Sequence, residues 1–258
     1  MTMAARSDAP KRIVILGAGS AIAEEAARAW ARRGPVRFAL VGRQPDRLEA
    51  VAANLRVLGA EAASYAADLD TADAAALISR MAAEMGRLDI VLLAYGTLGD
   101  QQACERDPKA ASQLLHTNFI SAAAWCLAAA SALEAQGHGS LVVIGSVAGD
   151  RGRASNFIYG AAKGGLGILL QGLAHRLTKA GARAVLIKPG FVDTPMTAHI
   201  SGRGGPLWST PARVAAVIVK VAEPASKGRA IVYAPRFWRW IMFVIRNIPE
   251  RIFHKTRL

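Results

Sequence analysis

Apolar residues fall along this chain in short β-branched runs separated by longer, alanine-rich stretches with helical spacing. Arg12-Ile13-Val14-Ile15-Leu16 is the first such run, and it breaks at once into Gly17-Ala18-Gly19. A continuous apolar run closed by a glycine turn predicts a strand buried on both faces. Residues 21–33 have helical composition and stop at Gly34-Pro35, where proline cannot continue a helix. The unit then repeats. Strands are predicted over 36–41, 62–67, 88–94, 141–145 and 184–187, with a last one near Ile231. Helices are predicted over 45–58, 71–85, 110–136, 155–180 and 210–221, with Thr71 as the cap of the second of these. Strands alternating with helices imply a parallel sheet covered on both faces. The right-handed crossover rule then favours an α/β fold, a single doubly wound Rossmann-type sheet spanning residues 1–258.

Composition narrows the function classes. Two cysteines, Cys104 and Cys126, provide no disulfide framework and fit a reducing compartment as small buried apolar residues. The five histidines are scattered, so no metal site is expected. The N-terminus lacks the apolar core of a secretory signal, and no unbroken apolar run approaches the ~18 residues of a membrane span. A cytoplasmic placement is therefore expected. Net charge is +13, which favours an anionic partner such as a phosphorylated ligand or an anionic membrane surface. Nucleic acid is set aside, since no nucleic-acid-binding motif accompanies the charge.

In a doubly wound sheet, ligands lie at the carboxyl ends of the strands, near the switch in strand order. There Gly17, Gly19, Ser20 and Ile22 form a small-residue turn that opens a helix. Such a turn lets the backbone approach a pyrophosphate, and the helix N-terminus offers amide donors. After the second strand, Gly42 leaves room and Arg43 can clamp a ribose 2′-phosphate with charge-assisted bonds. The same residue also reads as one exposed arginine among many. Asp68, at the end of the third strand, can accept from an adenine amino group or cap a helix. These features point to NADPH as cofactor, with NAD as the lesser choice.

The chemistry concentrates in Ser146, Tyr159 and Lys163. Helical periodicity places Tyr159 and Lys163 on one face, and Ser146 follows a strand end that can face the same cleft. Reduction of a ketone needs a proton donor at the carbonyl oxygen. A phenol titrates near pH ~10, and a neighbouring ammonium lowers that value. A serine hydroxyl can orient the carbonyl.

With these residues in place, the chain resembles the short-chain dehydrogenase/reductase family over nearly its whole length. The resemblance implies that Asn118 holds a water in a proton relay and that Lys163 also binds the nicotinamide ribose. It implies cofactor contacts from Leu69, Gly96, Pro189, Gly190, Val192 and Thr194, besides Tyr159 and Lys163 themselves. Two departures stand out: Ala21 and Ala23 replace the second and third glycines of the family turn, and Leu93-Ala94-Tyr95-Gly96 replaces Asn-Asn-Ala-Gly. A dimer or tetramer is the family expectation.

Within the family, residues 94–100, 155–160 and 248–253 resemble the decaprenylphosphoryl-2-keto-pentose reductases. That narrower resemblance implies a polyprenyl-phosphate-linked sugar substrate and a flavin oxidase as partner enzyme. The alternatives are a generic ketoreductase for an acyl thioester, steroid or polyol, and a non-catalytic NADPH-binding protein. The last predicts loss of a catalytic residue, whereas all four are present.

The tail, 236–258, combines Phe237-Trp238-Arg239-Trp240-Ile241-Met242-Phe243-Val244-Ile245 with Arg236, Arg246, Arg251, Lys255 and Arg257. Such a segment suits peripheral contact with the inner face of a membrane. It equally suits packing on a neighbouring subunit.

Overall fold

The computed structural model describes residues 9–200, 202–223 and 228–256; residues 1–8, Ser201, 224–227 and 257–258, including Arg257 of the tail, lie outside the described set. Seven parallel strands form one sheet: β1 (Lys11–Leu16), β2 (Val36–Gly42), β3 (Glu61–Ala66), β4 (Ile90–Leu93), β5 (Ser140–Ile144), β6 (Arg183–Pro189) and, after the two-stranded ribbon introduced below, β9 (Ile231–Ala234). Their order is β3-β2-β1-β4-β5-β6-β9. The chain runs outward from β1 to β3 and returns to the other side of β1 as β4, so a crevice opens where the carboxyl ends of β1 and β4 part.

Strand alternation builds two cores. Ile13 and Ile15 face one layer with helices α1 (Ala21–Ala31), α2 (Pro45–Val57) and α8 (Pro211–Val221). Val14 and Leu16 face the other, with α3 (Ala74–Met85), α6 (Ala122–Gln136) and α7 (Phe157–Lys179). All four β1 side chains are fully buried, as a central parallel strand requires.

Several expected boundaries shift. The amides of Thr71 and Ala72 bond to the Asp68 carbonyl in a turn, so α3 starts at Ala74. Asp73 caps it, accepting from the Ala76 amide at 3.0 Å, and Thr71 does not. The expected 110–136 helix begins as α5 (Pro108–Leu115), after a short α4 (Gln101–Arg106). It then passes through a π-helical turn, His116–Ser121, before α6. The stretches Pro108–Gln136 and Phe157–Lys179 are long and apolar enough to cross a membrane by length and composition. One face of each, with Trp125, Leu166 and Leu170, is buried against the sheet, while Ile120, Leu127 and Ile168 are exposed.

A two-stranded ribbon, β7 (Phe191–Val192) with β8 (Trp208–Ser209), follows β6. The chain ends in α9 (Trp238–Asn247) and α10 (Glu250–Phe253).

Candidate active site

The turn after β1 is shaped by close approach. Gly17 has φ +87°, and a Cβ there would lie 2.6 Å from that of Tyr95 on the loop after β4. Ser20 is the extended N-cap of α1, and its hydroxyl makes no capping bond. Ala23 and Ile22 are buried in the core, so the Ala23 methyl serves helix–sheet packing, and Ile22 can offer only backbone to a ligand. Tyr95, the other departure, packs on Gly17 and hydrogen bonds with Ser121 at 2.6 Å.

Arg43 is exposed beyond β2. A second basic residue that the sequence reading missed, Arg47 in the first turn of α2, reaches the same corner. A Cβ on Gly19 would fall 2.9 Å from the Arg47 Nε, so this guanidinium rests on the glycine turn. Its Nη2 donates to Glu24 at 3.1 Å. The signal available in sequence was the spacing Arg43-x-x-x-Arg47 across the strand–helix junction. Asp68 is exposed at the end of β3 and accepts from the Asp70 amide at 3.1 Å. The Leu69 side chain is in the core, and its carbonyl accepts from Ser121 at 2.6 Å and Trp125 at 2.8 Å.

Ser146, Tyr159 and Lys163 converge at the carboxyl end of β5. The Ser146 oxygen accepts from the Ala148 amide at 3.1 Å and is hydrogen bonded to Tyr159. Lys163 is buried, donates to the Ile144 carbonyl at 3.2 Å and lies 5.8 Å from the Tyr159 ring centroid. Glycine makes this approach feasible: a Cβ on Gly149, in the serine loop, would sit 2.6 Å from the Lys163 carbonyl carbon.

The electrostatics differ from the sequence expectation. Burial pushes the Tyr159 phenol up to about 12, against a lowering by the Ser146 bond, and burial pulls the Lys163 ammonium down to about 8. Desolvation dominates both groups, because two ionisable side chains share a site from which water is largely excluded.

Asn118 lies on the π-helical turn and is buried. Its amide nitrogen donates to the carbonyls of Thr97 at 2.8 Å and Leu114 at 3.0 Å, and its oxygen accepts from the Thr97 amide at 3.1 Å. The side chain thus ties the loop after β4 to the π turn. Gly96 is wedged there; its Cβ would fall 2.5 Å from Asn118 Oδ1 and 3.5 Å from Lys163 Nζ. The extra residue of a π turn, a feature common at functional sites, brings Asn118 to this junction.

A sequence-family model for short chain dehydrogenase matches residues 11–203. The chain belongs to the short-chain dehydrogenase family. An uncharacterised oxidoreductase of Streptomyces coelicolor is 36% identical over 250 residues, covering 96% of this chain and 97% of that protein. A 3-oxoacyl-[acyl-carrier-protein] reductase of Bos taurus is 29% identical, covering 74% of this chain and 79% of its own. The crystal structure of a metagenomic short-chain oxidoreductase in complex with NADP superposes with a TM-score of 0.72. It is 26% identical and covers 88% of this chain and 98% of that one.

This short-chain dehydrogenase is an NAD(P)-dependent oxidoreductase, and its crevice fits a dinucleotide. Glycine backbone lines the turn, a helix N-terminus faces it, and the Arg47 cation lies where an anion would be held.

At the end of β6 and just beyond it lie Pro189, Gly190, Val192 and Thr194. Val192 is buried, and the Thr194 amide donates to Thr197 Oγ1 at 3.2 Å. The Gly190 amide donates to the Ala234 carbonyl at 3.3 Å. The family member's tail covers this stretch. A Cβ on Gly190 would lie 1.9 Å from the Trp238 indole, which is buried with Val147 and Met242. Phe191 stacks on Trp208 at 5.3 Å and meets Trp238 edge-on at 5.8 Å. Asp150, in the serine loop, pairs with Lys188 and accepts from Tyr233 at 2.8 Å. One face of the tail therefore packs on its own subunit, an arrangement that the sequence reading had not included.

Proposed function

We propose that this short-chain dehydrogenase reduces a ketone to a secondary alcohol with NADPH. The observation that carries the reading is the convergence of Ser146, Tyr159 and Lys163 with a phenol that keeps its proton at neutral pH. In this reading the Ser146 hydroxyl orients the substrate carbonyl, and Tyr159 protonates its oxygen. The Lys163 ammonium favours the phenolate left behind and holds the nicotinamide ribose. When bound, the dinucleotide supplies the hydride. Arg43 and Arg47 clamp the 2′-phosphate; Asp68 and the Leu69 backbone meet the adenine. Pro189, Gly190, Val192 and Thr194 hold the carboxamide side, and Asn118 keeps the loop after β4 in register.

The narrower substrate is the 2-keto group of a polyprenyl-phosphate-linked pentose, with a flavin oxidase supplying the ketone. Support comes from the sequence resemblance and from an amphipathic tail beside the site. The similarity to a 3-oxoacyl-[acyl-carrier-protein] reductase favours a second reading, an acyl thioester. Exposed Ile120 on the π turn, Leu127 on α6 and Ile168 on α7 support a homodimer. The outer face of α9 supports peripheral contact with an anionic membrane.

The test is NADPH oxidation with a polyprenyl-phosphoryl 2-keto-pentose, an acetoacetyl thioester and a cyclic ketone, with NADH as control. NADPH is expected to exceed NADH in kcat/KM by about tenfold or more, from charge-assisted contacts to the 2′-phosphate. The pair Arg43→Gln and Arg47→Gln should erase that ratio. Equal use of both cofactors by the unaltered protein would refute the phosphate clamp.

A further inference from the structure

The end of the chain closes a second cleft beside the catalytic helix. Gly152, Arg153 and Phe157, leading into α7, and Phe253, His254 and Thr256, from the tail, line about 360 Å³ of it. Phe157 opens α7, whose first two turns carry Tyr159 and Lys163, so this cleft adjoins the catalytic elements.

Two arginines in this region are engaged very differently. Arg151 Nη1 donates to the carbonyls of Ile245 at 2.6 Å, Arg246 at 3.1 Å and Ile248 at 2.7 Å. These carbonyls lie at the C-terminus of α9, where a cation is favoured. Its guanidinium also lies 3.8 Å from the Phe253 ring centroid. Arg151 thus fastens the tail. Arg153 does not. Its Nε is buried without a hydrogen-bond partner, and among the described residues no carboxylate pairs with it. Burial lowers its pKa, the mark of a cation removed from water without a counter-charge.

A guanidinium whose Nε is buried without a partner is unfavourable unless a ligand completes it. The rest of the cleft indicates the ligand. His254 adds a second group able to donate, and exposed Arg251 and Lys255 flank it in the chain, which favours an anion. Phe157 and Phe253 add apolar walls. Guanidinium matches the oxygens of a phosphate in a two-point fork. Resting on the reductase reading above, we infer that this cleft binds a phosphodiester of the substrate, Arg153 gripping its oxygens and the two phenylalanines lining the attached carbon chain. A polyprenyl-phosphoryl sugar and an acyl-phosphopantetheine both carry such a group.

The test reads binding apart from turnover. NADPH-loaded protein is titrated calorimetrically with a farnesyl phosphodiester and a phosphopantetheine diester. Farnesol and pantetheine serve as phosphate-free controls. The unaltered protein should bind one diester about tenfold or more tightly than its alcohol, the scale of one charge-assisted contact. Which diester wins identifies the source of the phosphate. Arg153→Gln should abolish that preference, and Arg153→Lys should restore part of it. Equal affinity for diester and alcohol in the unaltered protein would overturn the inference, as would equal losses for both in Arg153→Gln. Failure to reduce any ketone would count against the reductase reading alone, since the phosphate preference needs no turnover.

Discussion

A phenol can donate a proton only while it holds one, and Tyr159 holds its proton far above neutrality, pushed up to about 12 by burial. Lys163, brought down to about 8, is the group that titrates within the working range. A depressed lysine is charged below its folded pKa and loses that charge as pH rises through it. Reduction should therefore fall as pH rises through about 8, because the phenolate loses its neighbouring cation. Arg at position 163 stays charged, so Lys163→Arg should remove this alkaline limb from whatever activity it retains; a pH–kcat/KM profile reads this directly. Tyr159→Phe should lower kcat by about 10²–10⁴-fold, the usual contribution of a positioned acid, with NADPH affinity by fluorescence titration unchanged. Ser146, Tyr159 and Lys163 were legible in the sequence because helix period and strand ends bring them together locally. Arg47 and Trp238 were not. Their roles depend on contacts with Gly19 and Gly190, and only the folded chain brings those partners together.

At the scale of elements, strand runs and glycine turns carried the sheet, since each central parallel strand must be apolar on both faces. The π turn escaped notice because Asn118 and its neighbours have ordinary helical composition. It is revealed only by what it aligns: Asn118 against Thr97 and Gly96. The docking of α9 was equally hidden, since an aromatic, arginine-flanked helix reads alike whether its partner is lipid, another subunit or its own sheet. The structure packs its inner face against Gly190 and Val147 through Trp238. Gly190→Ala would push a methyl into the indole, and overpacking of this kind costs about 1–3 kcal/mol. Trp238→Ala removes the ring at a cost of about 3–5 kcal/mol. Because both changes act on one contact, the double variant should be no less stable than Trp238→Ala alone. Urea denaturation of the four proteins completes that cycle. Additive losses would mean that Gly190 is constrained by something other than the indole.

At the scale of the whole molecule, α9 divides the chain's inside from its outside. Trp238 and Met242 are buried, whereas Trp240, Phe243 and Val244 are 67%, 61% and 62% exposed on the opposite face. Arg236, Arg239, Arg246 and Arg251 are exposed in the same segment, in a chain of net charge +13. Rings set among arginines suit the headgroup region of an anionic bilayer, where apolar side chains enter the boundary and guanidinium groups meet phosphates. The helix is held from behind by Arg151 and Trp238, so docking through its outer face leaves that packing in place. Replacing Trp240, Phe243 and Val244 together by serine should weaken co-sedimentation with anionic vesicles by about tenfold or more. Three partly exposed apolar side chains justify that scale at roughly 25 cal/mol per Å² of buried area. The unfolding midpoint should hold, because none of the three contributes to the core. Raised salt should weaken binding of the unaltered protein as the arginines are screened. If the triple variant instead breaks a concentration-dependent dimer and vesicle binding is unaffected, the outer face belongs to a second copy of the chain. The proposed lipid-linked substrate would then have to reach the site from solution, which removes the physical reason for an aromatic helix beside it.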